Sequence, residues 1–140
     1  MNRYALTTTV MGYTVILQVV DTEGDAPAVP ANEPYAAWRD ITGNDTAQSG
    51  MKITWGPAGD EYVAATPLEQ QLITTGRMQQ RFDAAERWLM FNPLQYKSDL
   101  GIATPADESA LIAYKQYFVA VSEVNEQNTF PTINWPVAPF

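Results

Sequence analysis

The chain contains no cysteine and no histidine. Thiol nucleophiles, thiolate metal sites, imidazole general bases and His-rich zinc sites are therefore excluded together. Disulfides are excluded too, so the fold does not depend on an oxidising compartment. Positive charge is scarce: eight Lys and Arg face sixteen Asp and Glu, a formal net charge of −8. Nucleic-acid binding usually needs a basic stripe, and Arg77, Arg81 and Arg87 are interleaved with Asp83 and Glu86 instead. Long apolar runs are also missing. Met1 to Val20 has neither an unbroken apolar core nor a small-residue cleavage pattern, and no stretch approaches membrane-spanning length. The expectations are no nucleic-acid partner, no membrane insertion and a soluble product that stays where it is made.

The 140 residues are 46% hydrophobic, enough for a packed core without metal or disulfide. Arg3–Val10 and Tyr13–Val20 are rich in Thr, Val and Tyr and predict a hairpin around Met11-Gly12, with Val15, Leu17 and Val19 on one face. A proline-punctuated acidic loop, Asp21–Pro34, follows. Shorter strands are predicted at Tyr35–Thr42, Met51–Trp55 and Tyr62–Ala65, giving a small antiparallel meander.

The periodicity changes at Thr66-Pro67, a cap followed by proline at the first helical position. Leu68, Leu72, Met78, Phe82, Ala85 and Leu89 recur at helical spacing as far as Asn92-Pro93, with Gly76 a weak point in the interior. Leu94–Ala103 reads as a connector. Thr104-Pro105-Ala106-Asp107-Glu108 repeats the start signal, with acids in the first turn. Leu111, Tyr114, Tyr117, Phe118 and Val121 then form a second apolar stripe, expected to pack on the first. Phe130–Phe140 holds three prolines and must be extended. The fold class is α+β: a small N-terminal antiparallel β meander, two long helices and an extended Pro-rich C-terminal tail. The expected division is a β-rich lobe over 1–65 and a helical lobe with the Pro/aromatic tail over 66–140.

Little in the chain can carry chemistry. Asp107-Glu108 serve a helix start, and Asp60-Glu61 lie in a turn. Gly56-Pro57-Ala58-Gly59 lacks the Lys-Ser/Thr of a phosphate loop. No catalytic, cofactor or metal residues are assigned, no cofactor is expected, and the chain reads as a non-enzyme. Four tryptophans, Trp38, Trp55, Trp88 and Trp135, need explaining. Trp135 lies between Asn134 and Pro136 in a segment unable to build its own ladder. It either folds back on the helical lobe or stands ready for a partner.

The helix Leu111–Val121 followed by Phe130-Pro131-Thr132-Ile133-Asn134-Trp135-Pro136-Val137-Ala138-Pro139 resembles the C-terminal region of the tail-fibre assembly proteins of tailed bacteriophages. That family ends in Leu-x-x-Trp-x-x-Tyr-Arg-x-x-Leu and then Pro-x-Ile-x-Trp-Pro-x-x-Pro. A fainter similarity covers Trp38-Arg39-Asp40-Ile41 and Gly50–Trp55 through Tyr62-Val63-Ala64. Tyr114 replaces the family's Trp, Phe118 its Arg and Val121 its Leu. The resemblance implies a chaperone of the tail fibre protein that binds the fibre's C-terminal tip and assists its folding or trimerisation. It would act in the host cytoplasm during assembly, with retention in the virion tail and self-association left open. The alternative is a structural virion component capping a fibre or baseplate, in contact with host surface glycans. Phe130, Pro131, Ile133, Trp135, Pro136 and Pro139 are the candidate partner-binding residues, because a proline-fixed segment loses little entropy on docking.

Overall fold

The computed structural model describes residues 1–140. Five strands precede the helices: β1 (Asn2–Val10), β2 (Tyr13–Thr22), β3 (Ala37–Asp40), β4 (Met51–Gly56) and β5 (Gly59–Ala64). Then come α1 (Pro67–Phe91), α2 (Leu94–Asp99), α3 (Pro105–Ser122) and a 3₁₀ turn at Val124–Gln127. The class is α+β with all strands N-terminal. By its internal contacts the chain divides into two units, Met1–Gly76 with Thr129–Ile133, and Arg77–Asn128 with Asn134–Phe140. The division falls within α1.

In the first unit the strands pair antiparallel in the order β3-β1-β2-β4-β5. This corrects the simple meander, because β3 returns to the far side of β1 instead of following β2. The long loop after β2 allows the crossing, and it seats Trp38 opposite Leu6 on the core cluster of Leu6, Val10, Val15, Leu17 and Ile73. The β1–β2 hairpin turns at Met11 and Gly12, both at positive φ (54° and 78°). This geometry matches the twist of a two-residue hairpin and explains the glycine.

A second correction concerns β2. Its pairing with β1 shifts between Leu6 and Thr7, which pair with Gln18 and Ile16, so Leu17 is a bulged extra residue. The bulge breaks the two-residue alternation. Val15 and Leu17 face the cluster just named, whereas Val19 packs on a different one, built from Ala5, Ile16, Ile41 and Ala47 with Met51, Ile53 and Tyr62. Each face of the sheet thus has its own core. The two edge strands also meet: Arg39 of β3 and Asp60 of β5 form an ion pair of 3.2 Å, so the sheet curls on itself.

Both long helices begin at reciprocal capping boxes. Thr66 Oγ1 accepts from the Glu69 N–H, and Glu69 Oε1 accepts from the Thr66 N–H. Thr104 and Asp107 repeat the arrangement. Each box satisfies two backbone donors that a helix start would otherwise leave to water. Glu69 is further held by Lys52 Nζ at 2.5 Å, which ties the start of α1 to β4.

Gly76 does not interrupt α1. A Cβ there would meet Val10 Cγ2 at 2.6 Å and Met11 Cγ at 2.5 Å, so the glycine lets the helix approach the β1–β2 turn. The buried positions of α1 are Ile73, Gly76, Arg77, Arg81 and Ala85, while Leu68 and Leu72 are exposed. The stripe expected from leucines is therefore rotated toward the arginines.

In the second unit α3 buries Leu111, Tyr114, Tyr117 and Val121. Phe118 meets Phe82 at 4.6 Å between ring centroids, and Tyr114 stacks on Trp88 at 6.0 Å. The expected connector Leu94–Ala103 contains α2, a helix too short to show periodicity in sequence. It ends in a left-handed turn at Gly101 (φ 71°), with the Ile102 and Ala103 N–H groups donating to the Lys97 carbonyl.

Candidate functional site

The Pro/aromatic tail has no ladder of its own, so its side chains determine where it lies. Within the first unit, Phe130 packs on the Leu6, Val10, Val15, Leu17 and Ile73 cluster. Pro131 Cδ lies 3.6 Å from where a Cβ on Gly50 would be. Ile133 is buried at 7% exposure.

Within the second unit the tail is held by one side chain acting as a surrogate strand. Gln127 Nε2 donates to the Asn134 carbonyl at 3.1 Å, and Gln127 Oε1 accepts from the Asn134 N–H at 2.8 Å. This pair sets the next residue, Trp135, against α1. The ring is 2% exposed, with the Arg81 guanidinium 3.9 Å from its centroid and that of Arg77 at 5.2 Å. Two arginines at i and i+4 share one helix face, and planar guanidinium groups stack well on an indole. Buried arginines on a helix are thereby accommodated through contact with a π face. Further on, Phe140 stacks on Trp88 at 5.0 Å and meets Tyr117 edge-on at 5.6 Å.

Of the six residues singled out in the tail, Ile133 and Trp135 are buried, Phe130, Pro131 and Pro136 are half-buried and Pro139 is exposed. Trp135 is folded back onto the helix, not projected into solvent. Beside it lies an open groove of about 500 Å³ lined by Ala120, Glu123, Glu126, Gln127, Asn134 and Pro136. Sequence reasoning does not single out Arg77 and Arg81 as the seat of the tail. Their signal in the sequence is the four-residue step Ile73, Arg77, Arg81, Ala85, which looks like an ordinary charged face until Trp135 is placed on it.

Large apolar side chains elsewhere are accessible. Trp55, at the tip of the β4–β5 hairpin, is 87% exposed. In the second unit Met90, Phe91, Tyr96, Leu100 and Ile102 are exposed around the ends of α1 and α2. No three His, Cys, Asp or Glu side chains are grouped to hold a metal ion, and no helix is long and apolar enough to cross a membrane.

Among ionisable groups, Glu69 is held below the usual carboxylate range by its hydrogen bond with Lys52, and also by the Thr66 backbone. Asp107 is lowered by the Thr104 N–H and Asp40 by the Thr42 hydroxyl and N–H. Desolvation pushes the Tyr114 phenol up, with a smaller contribution from Glu86. These shifts follow from caps, turns and packing, and none gathers into a catalytic constellation.

A small acidic α+β chain with a docked aromatic tail and accessible apolar side chains has the features of an interaction protein. The chain belongs to the Caudovirales tail fibre assembly protein family, described as lambda gpK, whose family model matches residues 14–140. It is thus a bacteriophage tail fibre assembly protein, and the match includes both the sheet from β2 onward and the tail. Neither a curated protein nor a solved structure matches it.

Proposed function

We propose that this chain is a non-enzymatic chaperone that binds the C-terminal tip of a tail fibre protein and assists its folding or trimerisation in the host cytoplasm. The family match over residues 14–140 carries this reading. The lack of His and Cys, and of any phosphate-binding glycine loop, favours binding over catalysis. The tail is proposed to contribute to the partner surface through Phe130, Pro131, Pro136 and Pro139. Ile133 in the first unit and Trp135 in the second are buried, and each would hold its own neighbours in the tail in place.

The test is co-expression of the fibre's C-terminal segment with and without the chain. The expected result is a higher yield of soluble fibre trimer and a co-purifying complex. An equal trimer yield in its absence, with no complex, overturns the reading. Stoichiometric presence in purified particles, with no effect on fibre folding, would favour the structural-component reading instead.

A further inference from the structure

We propose that Trp55, with the Asp60 carboxylate beside it at the tip of the β4–β5 hairpin, docks a basic segment of the tail fibre protein. The inference rests on the fibre-binding reading above and assigns it a surface. Trp55 is the most exposed large hydrophobic residue of the chain, at 87%. A ring this exposed offers a large apolar area for a partner to bury. It is not on a loose loop: the β4–β5 ladder is continuous from Met51↔Ala64 to Gly56↔Gly59, with Trp55 directly opposite Asp60. Directly opposed residues of an antiparallel pair project from the same face, so the Asp60 carboxylate stands beside the ring. Asp60 is in turn tied to Arg39 of β3 at 3.2 Å, which braces the tip. A bound anchor therefore loses little backbone entropy here.

Charge specifies the occupant. Glu61 projects from the opposite face at the same tip, its side chain filling the space that a Cβ on Gly56 would need. The indole thus has a carboxylate on either side of its hairpin. Arg39 and Asp60 balance each other in their ion pair, so the negative field at the tip comes from Glu61 and from the unit as a whole. The whole first unit carries nine carboxylates against Arg3, Arg39 and Lys52, a formal net charge of −6. An aromatic face within a negative field favours Lys or Arg side chains, through cation–π contact and steering. The exposed apolar residues around α2 lack such a bias, with Arg87 and Lys97 set against Glu86 and Asp99.

The experiment measures affinity between the intact chain and the C-terminal segment of the tail fibre protein encoded in the same genome. Wild type, Trp55→Ala and Glu61→Lys are compared at rising NaCl, with melting temperature recorded for each. The expected result is an unchanged melting temperature for Trp55→Ala, about 30-fold weaker binding, and weaker binding for Glu61→Lys. Wild-type affinity should fall with salt. If Trp55→Ala proves unstable, Glu61→Lys and the salt dependence decide alone. Wild-type protein that does not bind the fibre segment overturns the fibre-binding reading itself. Wild-type binding that survives both substitutions and is indifferent to salt overturns only the surface assigned here. That surface is equally overturned if Trp55→Ala dissociates a homodimer, or abolishes retention on host surface glycans, while fibre affinity is unchanged. Loss of fibre binding in Phe91→Ser but not in Trp55→Ala overturns it as well.

Discussion

The Arg81 guanidinium lies 3.9 Å from the centre of the Trp135 ring, with Arg77 on the same helix face at 5.2 Å. In the second unit a segment without a strand ladder is thereby held by this stacked contact together with the Gln127–Asn134 hydrogen bonds before it and the Phe140–Trp88 stack after it. Trp135→Ala should destabilise the protein by about 3–5 kcal/mol, because it empties a buried site and strips a π partner from two buried cations. Thermal or urea unfolding checks this. A melting temperature equal to wild type, with fibre binding lost, would mean that Trp135 acts at the interface and not as the staple of the tail.

Phe82 and Phe118 meet at 4.6 Å, joining α1 to α3 within the second unit. Both rings are only half-buried, so Phe82→Ala should cost about 3 kcal/mol, the low end for such truncations. A cost below about 1 kcal/mol in denaturant unfolding would show that this ring contact contributes little beyond area burial.

Gly76→Ala should destabilise the protein although alanine is the better helix former by about 1 kcal/mol. The new methyl would collide with the stiff Val10 side chain and with Met11, and relieving such overlap typically costs about 1–3 kcal/mol. Equilibrium unfolding gives the sign directly, and a stabilised variant would show that the turn yields freely.

Removing a capping hydroxyl, as in Thr104→Ala, should cost about 1 kcal/mol. The two caps, with the Asp40 turn after β3, give a pH dependence. Glu69, Asp107 and Asp40 titrate below their ordinary values, so they bind protons less readily folded than unfolded. Their contribution is complete above the unfolded carboxylate range of about 4 and is lost as pH falls through the lowered folded values. The melting temperature should be flat from neutral pH to about 5 and then drop. Asp107→Asn should make the drop shallower. An equally steep drop in that variant would locate the acid sensitivity elsewhere.

Local chemistry is what the sequence by itself determined. Thr-Pro at 66–67 and 104–105 marks where helices begin, because capping and proline's fixed φ depend only on neighbours in the chain. Met11-Gly12 places the first hairpin for the same reason. The residues missing from the chain, Cys and His, bound its chemistry without any fold. The tail's proline and aromatic spacing is a local feature too, and the resemblance it carries agrees with the family match over residues 14–140. What only the tertiary structure decided is non-local. The bulge at Leu17 moves Val19 to the other core, and strand β3 crosses to β1, since pairing partners far apart in sequence leave no period to read. The buried Arg77 and Arg81 meet an aromatic ring more than fifty residues away in sequence. Trp55 and Trp135 are the same side chain in sequence. One is 87% exposed and the other 2%, because a hairpin tip has no neighbours to cover a ring and the face of α1 does.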